Sequence, residues 1–120
     1  MIAMNGKVSH ITEVTEELVD MPGSKKTYIQ WLITKDDGAP HFAMRRFRVL
    51  PGGYSPLHSH GHEHEVYVLQ GKGQVLLGEK KYELKPGSFV FVPPMEKHQF
   101  VNTSDTEELI FLCIIPHIHH

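Results

Sequence analysis

From Tyr28 to Ile115 the chain alternates apolar and polar residues in short runs broken by glycine and proline. That two-residue period predicts half-buried β-strands near Tyr28–Thr34, Phe42–Leu50, Glu65–Gln70, Gly73–Leu77, Lys81–Leu84, Ser88–Val92, His98–Asn102 and Glu108–Ile115. Between them stand turn signals: Asp36-Asp37-Gly38, Pro51-Gly52-Gly53, Gly71-Lys72-Gly73, Gly78-Glu79-Lys80 and Pro86-Gly87. No segment has a helical period, and there is no internal repeat. Many short strands at this spacing imply an all-β sandwich or barrel. Residues 1–24 are the least regular part. Val8 to Val19 reads as a short strand or an irregular arm, closed by Met21-Pro22-Gly23-Ser24. The expected organisation is an arm over 1–24 and a single barrel domain over 25–120.

The alternation also assigns faces. In Phe42–Val49, Ala43, Phe47 and Val49 share one side while Met44, Arg46 and Arg48 share the other. The first side is apolar and points inward, and Arg45 falls on it. A buried guanidinium is costly unless it is paired or faces a wet cavity, so Arg45 predicts a polar cavity inside the barrel. In the next strand His64, Val66 and Val68 point inward, and Glu65, Tyr67 and Leu69 outward. The strand Leu109–Ile115 is apolar on both faces. Its second face calls for cover beyond its own barrel, which predicts a homodimer.

Chemistry concentrates in the histidines. His58, His60, His62 and His64 occupy one run, and His98 follows Val92-Pro93-Pro94-Met95-Glu96-Lys97. Neutral imidazole suits mid-to-late first-row metals. His58 and His60, two apart, share a face if the segment is a strand. The pattern proposes a metal on the inner face of a barrel, held by three histidines of the run together with His98. His62, Glu63 and Glu65 read as solvated. Cys113 reads as a small core residue, and His117, His119 and His120 as a loose terminal tail. Gly71-Lys72-Gly73 is a turn and not a phosphate loop, because no helix follows it.

These residues resemble the two sequence motifs of the cupin superfamily. Gly52, five residues, His58-Ser59-His60, three residues, His64, six residues and Gly71 follow the first motif, with His64 where most cupins carry a glutamate. Glu65 matches the alternative spacing of that glutamate, but six residues further on it leads to Lys72 instead of glycine. Gly87, Pro93, His98 and Asn102 follow the second motif, with Met95 in place of its glycine. More narrowly, the segments Ala39–Arg45, His64–Gly71 and Phe111–Pro116 are similar to small single-domain cupins that bind manganese through four histidines. The resemblance covers roughly residues 40 to 115. It implies a jelly-roll barrel (a double-stranded β-helix), His58, His60, His64 and His98 as ligands, and Arg45, Phe111 and Cys113 near the metal.

Four neutral imidazoles leave a divalent ion its full charge, which strengthens Lewis acidity and favours the lower oxidation state. In an octahedron they leave two positions for substrate and a second molecule. Mn(II) fits best and Fe(II) next. Zn(II) would be saturated by four ligands in a tetrahedron, although it and Ni(II) compete for imidazole sites. The expected function is a metal-dependent oxygenase or related oxidoreductase acting on a small organic substrate, with Arg45 as the catalytic or anchoring cation. The alternatives are a Lewis-acid lyase, isomerase or cyclase, or a non-catalytic small-molecule binder.

Composition narrows the field further. With 40% hydrophobic and 22% charged residues and a formal net charge of −2, the chain offers no electrostatic case for nucleic acid or an anionic membrane. No apolar run reaches the length of a membrane span, and the N-terminal residues lack the apolar core of a signal peptide. A single cysteine excludes an intrachain disulfide and suits a reducing cytoplasm.

Overall fold

A computed structural model describes residues 5–117. Nine strands dominate: β1 (Glu17–Leu18), β2 (Lys25–Ile33), β3 (Phe42–Tyr54), β4 (His64–Gln70), β5 (Gly73–Leu77), β6 (Lys80–Leu84), β7 (Phe89–Val92), β8 (His98–Asn102) and β9 (Leu109–Pro116). Two short 3₁₀ turns, Ile11–Glu13 and Lys35–Asp37, are the only helical segments among the described residues. All pairings are antiparallel and join the strands in the order β6-β5-β8-β3-β9-β4-β7, with β2 added to β3 and β1 to β2. The sheet curls on itself as a jelly-roll barrel, the fold that the alternation and turn spacing imply.

Strand β3 is the spine. It pairs with β9 from Phe42↔Pro116 to Val49↔Leu109, with β2 on its other edge, and at Tyr54 with Val101 of β8. The expected turn at Pro51-Gly52-Gly53 is instead a bend within this strand. Gly52 takes φ +79°, a conformation that costs glycine nothing, and the strand runs on to Tyr54 with a register shift against β2 between Val49 and Tyr54.

Inward residues form one cluster around Val49, Val66, Val68, Leu109 and Phe111, each at most 3% exposed. The face assignment of β4 holds: His64, Val66 and Val68 are buried, and Glu65, Tyr67 and Leu69 are exposed. Strand β9 lies between β3 and β4 and is therefore interior, not a sheet edge. On its second face Ile110 is buried, and Leu112 and Ile114 are half-buried, within the single chain.

The N-terminal segment is docked on its own barrel. The buried Gln30 donates from Nε2 to the carbonyls of Ile11 (2.9 Å) and Val14 (3.0 Å), and accepts from Arg46. Arg48 pairs with Glu16 at 2.7 Å and also with Glu108. Strand β1 pairs with β2 of the same chain. His117 is not loose: its N–H donates to the His41 carbonyl, and its Nε2 lies 2.8 Å from the carbonyl of Ala39. His119 and His120 lie outside the described residues. No helix among those residues is long and apolar enough to cross a membrane.

Candidate metal centre

The five histidines of interest come from three kinds of local structure. His64 opens β4, and its strand parity turns it inward. His98 opens β8 and forms a two-way bridge with His58, with N–H···O distances of 2.9 and 3.2 Å. His58 is thus an isolated bridge residue and His60 lies in a loop, so the two do not lie on one strand as their spacing suggested. The loop is held in place by a hydrogen bond from the Met95 amide to the His60 carbonyl at 2.6 Å.

His58, His60, His64 and His98 line one cavity of about 310 Å³. Ring centroids lie 4.1 Å apart for His58–His60, 5.1 Å for His58–His98 and 4.7 Å for His64–His98. Ligand atoms of His58, His60 and His98 fall within 4.8 Å of one another. His64 completes the ring of imidazoles, 4.7 Å from His98 and 5.2 Å from His60 by centroids, with its ligand atoms outside that group of three. His62 does not line the cavity; its ring stacks at 5.0 Å on His60 and 4.9 Å on His64. Neither Glu63 nor Glu65 lines it either.

Burial holds these rings neutral. His64 is pushed down to about 3 and His60 to about 4, in each case first by loss of water and then by neighbouring histidines and Arg45. His58 and His98 shift the same way, again with burial as the leading cause. Only a neutral ring offers a lone pair to a cation.

Two further observations fit a metal. The His64 Nε2 is buried without a hydrogen-bond partner, a cost of about 1–3 kcal/mol that a bound cation would remove. The Nε2 atoms of His58 and His60 are 3.0 Å apart, the spacing that two nitrogens ~2.1 Å from one ion span at a right angle. His98 Nδ1 meets the Glu96 carbonyl at 3.0 Å, which assigns the ring proton to Nδ1 and leaves Nε2 as the lone-pair atom.

Arg45 lines the same cavity, as its parity predicts. Its Nη2 lies 2.9 Å from the Cys113 Sγ, and its Nε is buried without a partner. Cys113 is buried, which pushes its thiol pKa up, partly offset by Arg45. Phe111 also lines the cavity and stacks with Phe47 at 5.2 Å. Two contributors were not legible in the sequence: Trp31 from β2, and Val19, Asp20 and Met21 from the N-terminal segment. Trp31 reaches the cavity because β2 pairs with β3 and sets it opposite Arg45, and the Val19–Met21 segment because β1 folds back along β2, contacts that no local spacing encodes.

A barrel of this topology with histidines converging on one cavity is the architecture of a cupin. Residues 45–115 match the family model described as the cupin domain, and the chain belongs to that family. It is 38% identical to the polyketide cyclase RemF from Streptomyces resistomycificus, whose solved structure superposes with a TM-score of 0.86 over 93% of this chain and 80% of that one. The 1-methylthio-D-xylulose 5-phosphate methylsulfurylase of Rhodospirillum rubrum is 39% identical over 60% of this chain and 46% of its own length. A glucose-6-phosphate isomerase of Pyrococcus abyssi is 48% identical over 49% of this chain and 34% of its own. The chain therefore matches less than half the length of these last two relatives.

Proposed function

We propose that this protein is a metal-dependent enzyme that acts on a small organic molecule by stabilising a developing oxyanion. His58, His60, His64 and His98 would hold the ion, with Mn(II) first and Fe(II) next. The observation that carries this reading is the convergence of four neutral imidazoles and the Arg45 guanidinium on one cavity. When bound, the metal supplies a Lewis acid of undiminished +2 charge.

The chain's own groups supply the rest. Arg45 presents N–H donors to negative charge on the substrate. The Cys113 thiol accepts from Arg45 and so helps to aim it. Phe47, Phe100 and Phe111 wall the cavity and exclude water, which raises the worth of every charge inside it. The Glu96 carbonyl orients His98.

Two of the relatives reported above carry the names cyclase and isomerase, which supports Lewis-acid chemistry as the first reading. Oxygenase chemistry is the second reading. It rests on the histidine-only donor set, which favours the lower oxidation state and leaves coordination positions open. Elemental analysis of untagged protein, followed by turnover of candidate substrates with and without oxygen, separates the two. Turnover under argon supports the first reading; turnover that needs oxygen and consumes it supports the second. Absence of metal after manganese reconstitution overturns both.

A further inference from the structure

Arg45 differs from its neighbours on β3 in having no oxygen acceptor for its guanidinium among the described residues. Arg48 is paired with two glutamates, and Arg46 donates to Gln30. The three ion pairs among the described residues do not include Arg45. Of its five N–H donors, one meets the weakly accepting Cys113 sulfur at 2.9 Å, and the buried Nε meets nothing. A guanidinium facing a cavity in that state is arranged for an anion that arrives with the ligand.

The surroundings define what that anion is attached to. The guanidinium carbon lies 5.4 Å from the Trp31 ring centroid and 5.0 Å from that of Phe47. Both rings lie within cation–π distance of the planar cation, a contact that occupies its face and not its N–H groups. The remaining wall is mainly Ile29, Phe100 and Phe111, with Val19 and Met21 at one side. Hydroxyl-binding groups are few: Asp20, and Ser55, whose Oγ already accepts from the Phe100 amide at 2.9 Å. Among the described residues, no lysine and no second arginine line the cavity. A polyhydroxylated sugar would leave its hydroxyls unpaired against aromatic rings, and a phosphate dianion would find one guanidinium where it needs several donors.

We propose that the substrate is a flat, largely apolar oxyanion, a conjugated or aromatic carboxylate, enolate or phenolate, and that Arg45 between Trp31 and Phe47 selects it. The oxyanion sits between Arg45 and the histidine cluster, and the planar body lies against the aromatic wall. This rests on the metal reading above for the second contact to the oxyanion.

The test is calorimetric titration of manganese-reconstituted protein, freed of excess metal, with three probes: salicylate, neutral salicylamide and glucose 6-phosphate. The proposal expects salicylate to bind at least tenfold more tightly than either of the others. In Arg45→Met that preference falls at least tenfold, with salicylamide nearly unchanged; Arg45→Lys gives an intermediate value and serves as well if Arg45→Met does not fold. Glucose 6-phosphate binding more tightly than salicylate overturns the proposal. So does salicylate affinity that ignores both Arg45 variants while their metal content matches wild type. Manganese content is measured on every sample. A wild type without the ion overturns the metal reading, and the Arg45 comparison is then read on the metal-free protein.

Discussion

Nδ1 of His64 lies 3.7 Å from Sγ of Cys113, and both side chains are buried. The same sulfur touches Arg45 at 2.9 Å, so one small core residue sits between a candidate ligand and the Arg45 guanidinium. Contacts behind a ligand hold its ring in place, and their removal typically costs ~10–100-fold in metal affinity. Cys113→Ala is expected to bind one equivalent of Mn(II) about tenfold more weakly, as read by chelator competition. His64→Ala should lose more, and Glu65→Ala, which alters an exposed side chain pointing away from the cavity, should lose nothing. Loss of metal in Glu65→Ala with retention in His64→Ala would reverse the ligand assignment.

The depressed histidines make the metal-free protein acid-sensitive. The unfolded chain takes up protons near the ordinary value of 6.5, whereas folded His60 waits until about 4 and His64 until about 3. As pH falls through that interval the unfolded state binds more protons, so stability falls; above 6.5 these groups contribute no slope. Urea midpoints of metal-free protein should drop from pH 6.5 toward pH 4 and stay level from pH 7 to 8. His64→Ala should flatten the slope. A midpoint unchanged down to pH 4 would contradict the burial of these rings.

Met95 takes φ +69° in the turn that leads into His98. That region costs a side chain of its size about 1–2 kcal/mol, and glycine gives back about 0.5–1 kcal/mol through its greater freedom when unfolded. Met95→Gly should therefore stabilise the protein by about 0.5–1 kcal/mol in urea melts. Destabilisation would show that the exposed Met95 side chain makes contacts that outweigh its strain.

Gly71 is the opposite case. It sits at φ +87°, and an added Cβ would overlap the carbonyl oxygen of Glu108. Strain and backbone overlap together predict a loss of about 2–4 kcal/mol for Gly71→Ala. A loss below ~1 kcal/mol would mean that the Glu108 segment moves aside freely.

The exposed apolar face of β4 and β7 offers a different basis for self-association than β9 did. Phe89 is 82% exposed, Phe91 58% and Tyr67 50%, and the register sets Tyr67 opposite Phe89. We propose a homodimer that covers this face. Light scattering should give twice 13.7 kDa at micromolar concentration, and Phe89→Asp should halve it. A wild-type mass of 13.7 kDa overturns the dimer.

Alternation alone determined most of the strands, because a half-buried strand writes its two faces into the sequence residue by residue. It also settled that Arg45 and His64 face inward and Glu65 outward, and the paired motifs singled out the four histidines that share the cavity. Strand continuity was less legible: Pro51-Gly52-Gly53 carries the same residues whether the chain turns or bends within a ladder, and only its pairing with neighbouring strands decides. The approach of His58 to His98, separated by forty residues, came from a backbone bridge. Tertiary structure alone brought Trp31 and the Val19–Met21 segment to the cavity and left Arg45 without a counter-ion. Those features depend on which strands lie side by side, and a strand's own pattern records its burial but not the identity of its neighbour.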